Sequence, residues 1–233
     1  FMGIATAMSA EDHRLWDPED GFFYDVLRLP DGSSIPLKVR SLVGLIPLLA
    51  VTVVDEETTR TLPEFTRRMQ WFLNRKPHLS GNVSRIDERG QRHRHVASIV
   101  TPERLREVLR YVLDEEEFLS PYGIRSMSKY HREHPFEVAV GGQTFRVGYE
   151  PGESITGMFG GNSNWRGPVW FPMNFLIIEA LERFHAYLGD DFTVECPTGS
   201  GSERSLAGVA EELRTRLSAI FLPDAAGRRP FQG

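Results

Sequence analysis

The residue types best suited to chemistry are gathered in Gly160-Gly161-Asn162-Ser163-Asn164-Trp165-Arg166-Gly167-Pro168-Val169-Trp170-Phe171-Pro172-Met173-Asn174. Gly-Gly permits a sharp turn and Pro168 presets a helix start. Asn164, Trp165 and Arg166 are therefore expected to project from a loop just before a helix N-terminus. Planar indoles, Trp165 and Trp170, beside amide and guanidinium donors suit a neutral polyhydroxylated ligand. The rings cover its apolar C–H faces while the donors bind its hydroxyls. The same tryptophans could instead serve only as packing. Arg166 with Asn162 and Asn164 argues for a polar pocket, because burying so many polar groups without partners is costly.

Other candidates are less specific. The loop Trp16-Asp17-Pro18-Glu19-Asp20-Gly21-Phe22-Phe23-Tyr24-Asp25 is acidic and aromatic. Phe23 and Tyr24 either line a ligand site with Trp16 and Asp17 or pack, and turn-stabilising bonds are the alternative role for Asp17 and the main one for Asp25. Arg125 is a pocket donor or a strut that pairs with a nearby carboxylate. Glu153 either enters the pocket to bind hydroxyls or caps its own loop. His93 and His95 alternate with arginines, which reads as a solvated hairpin, and His131 and His134 are read the same way. Asp17 to Gly21 lacks the alternating oxygen ligands of a calcium loop. No Ser-His-Asp order, P-loop or dinucleotide glycine fingerprint is present.

The elements that must position these residues are mainly helical in this reading. Arg40 to Val54 reads as a buried helix kinked at Pro47. Thr61 to Lys76 reads as a second, capped by Thr61, with Leu62, Phe65, Met69 and Phe72 at helical spacing. Thr101-Pro102 opens a third, buried through Leu105, Val108, Leu109 and Val112. A fourth runs from about Pro168 to Gly189, and a last from about Ser202 to Phe221. Hairpins are expected around Asp31-Gly32, Glu88-Arg89-Gly90 and Gly141-Gly142. Long loops between the helices point to function gathered on one side.

Composition narrows the field. The chain has 27 basic and 32 acidic residues and a net charge of −5, so it lacks the basic face a nucleic-acid binder needs. The apolar run Leu42–Val54 falls short of the ~20 residues required to cross a bilayer. The single cysteine, Cys196, can form neither an internal disulfide nor a cysteine-based metal site. The chain opens and stops without a terminal signature or a leader, so it is expected to be a piece cut from a longer protein at both ends. A cytoplasmic location is expected.

Three elements together carry a family resemblance. Trp165-Arg166-Gly167-Pro168-Val169-Trp170, the Trp16-Asp17 to Asp25 loop, and Pro121-Tyr122-Gly123-Ile124-Arg125-Ser126 resemble, in order, elements of glycoside hydrolase family sixty-three. The resemblance implies an all-α fold, part of an (α/α)₆ toroid with short β-hairpin insertions. Twelve helices need roughly 400 residues, so residues 1–233 are expected to form a fragment of one catalytic domain, leaving an apolar flank for the remaining helices of the barrel. The resemblance further implies inverting hydrolysis of an α-linked oligosaccharide or small glycoside by two carboxylic acids, with neither a metal nor an organic cofactor required. In the family pattern the acid lies upstream of the Trp16 loop and the base downstream of the Trp165 helix. No catalytic residue is assigned within the chain, and the chain alone is expected to be inactive. Two other readings stay open: a non-catalytic helical scaffold binding sugar or protein, and a toroidal trehalase-like hydrolase or disaccharide phosphorylase.

Overall fold

Aromatic residues organise the first elements. Strand β1 (Trp16–Asp17) pairs antiparallel with β2 (Phe22–Phe23), and Gly21 between them takes φ +65°, which a side chain would oppose. The computed structural model describes residues 3–4, 8, 15–76, 95–152 and 165–232. The hairpin signalled by Asp31-Gly32 is present as β3 (Asp25–Arg28) against β4 (Ser34–Leu37). Asp31 accepts the Ser33 N–H at 2.9 Å to hold the turn.

Arg40 to Val54 is not one helix. It divides into a 3₁₀ turn (Leu42–Leu45), the single-turn helix α1 (Ile46–Leu49) and strand β5 (Val51–Val54), which pairs with β6 (His95–Ser98). Pro47 sits in the first turn of α1, where a missing N–H costs nothing, so it produces no kink. Gly44 shows why the segment bends. A Cβ there would lie 2.4 Å from a Phe22 ring carbon and 2.4 Å from the Phe23 carbonyl oxygen.

The second expected helix is also divided, into α2 (Glu56–Thr61) and α3 (Pro63–Arg75). Pro63 drives Leu62 out of the helical region, to φ −118° and ψ 65°. Thr61 therefore ends α2, its hydroxyl donating to the Glu57 carbonyl at 2.8 Å, and does not cap α3. Helix α4 (Pro102–Val112) follows the sequence closely: the Thr101 hydroxyl accepts the Arg104 N–H, and Leu105, Val108, Leu109 and Val112 are buried. Each such side chain contributes about 1.5–3 kcal/mol.

Strands β7 (Leu119–Ser120) and β8 (Gly123–Ile124) form a tight pair. The expected hairpin of β9 (Phe136–Val140) and β10 (Gln143–Val147) turns through Gly141 and Gly142 at φ +59° and +79°, the left-handed pair of a type I′ turn. Helix α5 (Phe171–Leu188) starts three residues beyond Pro168. Strands β11 (Thr193–Glu195) and β12 (Glu203–Ser205) then lead into α6 (Leu206–Ala219), capped by the Ser205 hydroxyl. The hairpin expected around Glu88-Arg89-Gly90 lies outside the described residues.

The expectation of an all-α fold is overturned by these strands. Among the described residues there are six antiparallel sheets of two strands each, beside the helices. The fold is mixed α and β and is not an all-helical toroid. Five of these sheets join strands that are neighbours in the sequence, while the Val51–Val54 stretch, read as helix, pairs with His95–Ser98 some forty residues away. The core is shared: α5 packs on α6, and Leu181, Phe184, Val209 and Leu213 join the α4 stripe, Phe22 and Phe118 in one cluster. Near the start of α5, Phe175 and Leu176 stay exposed. Phe171, Phe221 and Phe231 form a chain of ring contacts there, with centroids 5.4 and 5.7 Å apart.

Candidate functional site

Two adjoining clefts occupy the face where β3, β4 and the Trp165 loop meet. The larger, about 350 Å³, is lined by Asp25, Leu37, Val43, Met127, Phe136 and Trp165 among others. The smaller, about 240 Å³, is lined by Phe23, Tyr24, Asp25, Val43 and Ile99 among others. Asp25 and Val43 belong to both, so the cleft lined by Trp165 and the cleft lined by Tyr24 adjoin at Asp25.

Asp25 opens β3 opposite Leu37. Its outer edge is exposed, yet the side chains around it desolvate the carboxyl and raise its pKa above the ordinary carboxylate value. Among the described residues it has no hydrogen-bond or ion-pair partner, and it is not the turn-stabilising residue the sequence suggests. Asp17 fills that role, accepting the N–H groups of Glu19 at 2.9 Å and Asp20 at 3.1 Å. Burial works to raise the Asp17 pKa, but Lys38, 2.8 Å away, and those two N–H groups outweigh it and hold the carboxyl below its usual range. The difference was legible: Pro18 and Gly21 follow Asp17 and permit a turn, whereas Asp25 leads into alternating strand residues.

The Trp165 loop is clasped between two distant stretches of chain. The Ser126 N–H donates to the Pro168 carbonyl at 3.0 Å, and the Gly167 N–H donates to the Ser126 hydroxyl at 2.8 Å. Val169 bridges Arg125, and the Glu150 N–H donates to the Arg166 carbonyl at 2.5 Å. Asn174 completes the clasp. Its amide oxygen accepts the Ile124 N–H at 2.6 Å, and its amide nitrogen donates to the Ile124 and Trp170 carbonyls at 2.9 and 3.0 Å. Gly167 takes φ +141°, and a Cβ there would also strike the Tyr149 ring at 2.5 Å.

Within that frame the indoles of Trp165 and Trp170 meet edge to face at 4.7 Å. Trp165 faces the larger cleft, while Trp170 packs on Trp165 and the core and lines neither cleft. Arg166 does not reach the cleft either. It is 1% exposed and ion-paired with Glu150. Arg125 donates to the carbonyls of Glu115, Glu117 and Leu119, which makes it a strut on backbone oxygens. Trp16 is buried between Phe23, at 4.7 Å, and the Arg104 guanidinium, at 4.9 Å. Phe23 and Tyr24 are buried and line the smaller cleft. Burial, together with the Asp20 charge, pushes the Tyr24 phenol well up, so it stays protonated. Glu153, Asn162 and Asn164 lie outside the described residues.

Behind the clefts sits a network the sequence did not disclose. The Arg40 guanidinium lies 3.2 Å from Glu117 and 3.9 Å over the Tyr130 ring. The Arg40 N–H donates to His131 Nε2 at 2.9 Å, and His131 Nδ1 meets the His134 carbonyl at 2.8 Å. His131 is thus a buried neutral strut, not a solvated residue, and its pKa is lowered by burial. Burial raises the Glu117 pKa against the opposing pull of Ser128 and Arg40. Among the described residues no group of three His, Cys, Asp or Glu is placed to hold a metal ion. Asp25 is the one carboxylate lining either cleft there, so a reaction needing two carboxylates is not complete within these residues.

Comparison with known proteins defines the class as that of the glycoside hydrolases. Residues 95–220 match the mannosylglycerate hydrolase MGH1-like glycoside hydrolase domain, more than half of the chain, and the chain belongs to that family. It is 51% identical over 216 residues to an uncharacterized protein of Saccharomyces cerevisiae, YMR196W, covering 92% of the chain and 20% of the relative. It is 31% identical over 115 residues to a probable mannosyl-oligosaccharide glucosidase of Schizosaccharomyces pombe, covering 49% of the chain and 10% of the relative. The chain thus spans a fifth or less of each relative's length. The resemblance to family sixty-three is supported at this level.

Proposed function

We propose that this chain supplies one wall of the sugar site of an inverting α-glycosidase acting on an α-linked oligosaccharide or small glycoside. The reading rests above all on the cleft in which the Trp165 indole and the Asp25 carboxylate face a common space. An indole stacks on the C–H face of a pyranose, and a carboxylate without a partner among the described residues accepts its hydroxyls. The catalytic acid and base come from outside the chain. One protonates the leaving oxygen and the other directs water to the opposite face, ~6.5–9.5 Å away. No cofactor takes part, and the chain alone is inactive.

The test is turnover of α-glucosides by the full-length protein and its Trp165→Ala variant, with the anomer of the first product read by NMR. The variant should lose about 1–2 kcal/mol of sugar binding, roughly a tenfold or greater fall in kcat/KM. A Trp165→Ala enzyme as active as the parent refutes the sugar-site role, and retention of configuration refutes inversion.

A further inference from the structure

The family name and the fission-yeast relative carry two chemically different substrates: a glycoside of glycerate, which bears a carboxylate, and a neutral oligosaccharide. The electrostatics of the clefts separates them. Leu37, Val39, Ser41 and Val43 all line the larger cleft. Lys38, Arg40 and Leu42, interleaved with them, line neither cleft. Both cations on this segment are committed to carboxylates, and Lys38 Nζ lies 5.9 Å from the centroid of the Tyr24 ring at the edge of the smaller cleft. Lys38 pairs with Asp17 and Asp20 at 2.8 and 3.1 Å, and Arg40 pairs with Glu117.

The cations of the neighbouring loop are also engaged elsewhere. Arg166 is held against Glu150, and Arg125 donates to three backbone carbonyls. Among the described residues, neither cleft is lined by a lysine or an arginine, and the one charged side chain lining them is Asp25. A ligand carboxylate seated there would meet a like charge in an apolar surround, with no lysine or arginine among the described lining residues to offset its desolvation.

We infer that the joined clefts select neutral glycosides over carboxylate-bearing ones, with Asp25 as the specificity-determining residue. The inference rests on the sugar-site reading above and adds the sign of the ligand. Asp25 acts twice: its oxygens accept hydroxyl hydrogen bonds from a neutral sugar, and its charge repels an acid. Specificity built from a repulsive element of this kind is a difference between two affinities, so it is measured as one.

The measurement is calorimetric binding to the full-length protein at neutral pH, using mannosylglycerate, glucosylglycerate and the methyl amide of each. The acid and its amide differ in charge and little in shape. The unsubstituted protein should bind each amide at least about tenfold more tightly than the acid, given the strength of a like-charge contact at short range. Asp25→Asn, a near-isosteric change at an exposed position, should erase that preference. Equal binding of acid and amide, or a preference that survives in Asp25→Asn, overturns the inference and leaves the sugar-site reading standing. Failure to bind either amide overturns the inference, and failure to bind an α-glucosyl oligosaccharide as well refutes the sugar-site reading with it.

Discussion

Asn174→Ala tests whether the Trp165 loop is held as described. Asn174 is 1% exposed and Ile124 is fully buried. Truncation removes the acceptor for the Ile124 N–H and the donor for the Ile124 carbonyl. The Trp170 carbonyl keeps a partner, because the Asn174 backbone N–H also reaches it at 3.0 Å. Two buried backbone groups are left unmet, at about 1–3 kcal/mol each, so the expected loss is about 2–5 kcal/mol. With a urea dependence of about 2–3 kcal/mol per molar for a chain of this size, the midpoint should fall by roughly 1–2 M. Urea titrations followed by tryptophan fluorescence and far-UV circular dichroism give that shift, and native-state hydrogen exchange at the Ile124 amide locates it. Asn174→Asp should fare no better, since its second oxygen would face the Ile124 and Trp170 carbonyls. An Asn174→Ala protein within about 0.3 M of the parent midpoint, with Ile124 still protected, refutes the clasp.

Gly167→Ala should cost about 2 kcal/mol or more, since φ +141° and the Tyr149 ring both oppose a methyl group. Adding Tyr149→Ala should recover the steric part and leave the backbone part, which a double-mutant cycle in urea separates. His131 predicts a pH effect of definite sign. Its native pKa lies below the ordinary 6.5, so the unfolded chain takes up a proton that the native site refuses. Its contribution is complete above pH 6.5 and is lost as pH falls toward the native value. The urea midpoint should drop between pH 7.5 and 5.5, and the drop should shrink in His131→Gln.

Local signals in the sequence were followed closely by the chain. Thr101-Pro102 opens α4, and Gly141-Gly142 turns β9 into β10, because a cap and a left-handed turn depend on a few adjacent residues. Leu42 to Val54 was not legible. Its valines pair with β6, some forty residues away, and Gly44 is shaped by Phe22, neither of which a periodicity reading contains. The site divides along the same line. The importance of the Trp165 segment was visible from composition, but composition could not show which way each polar group points. Arg166 turns inward to Glu150, and Asp25, read as a turn residue, faces the clefts.

The clasp on the tryptophan loop has a kinetic side. It ties Gly167 to Ser126 and Asn174 to Ile124, across 41 and 50 residues of chain. Closing loops of that length consumes conformational entropy before any contact repays it. Helix α4 needs only neighbours within a turn and can form early. During synthesis Ser126 and Ile124 must wait for chain 41 and 50 residues further on before the clasp can close, whereas α4 is complete within itself.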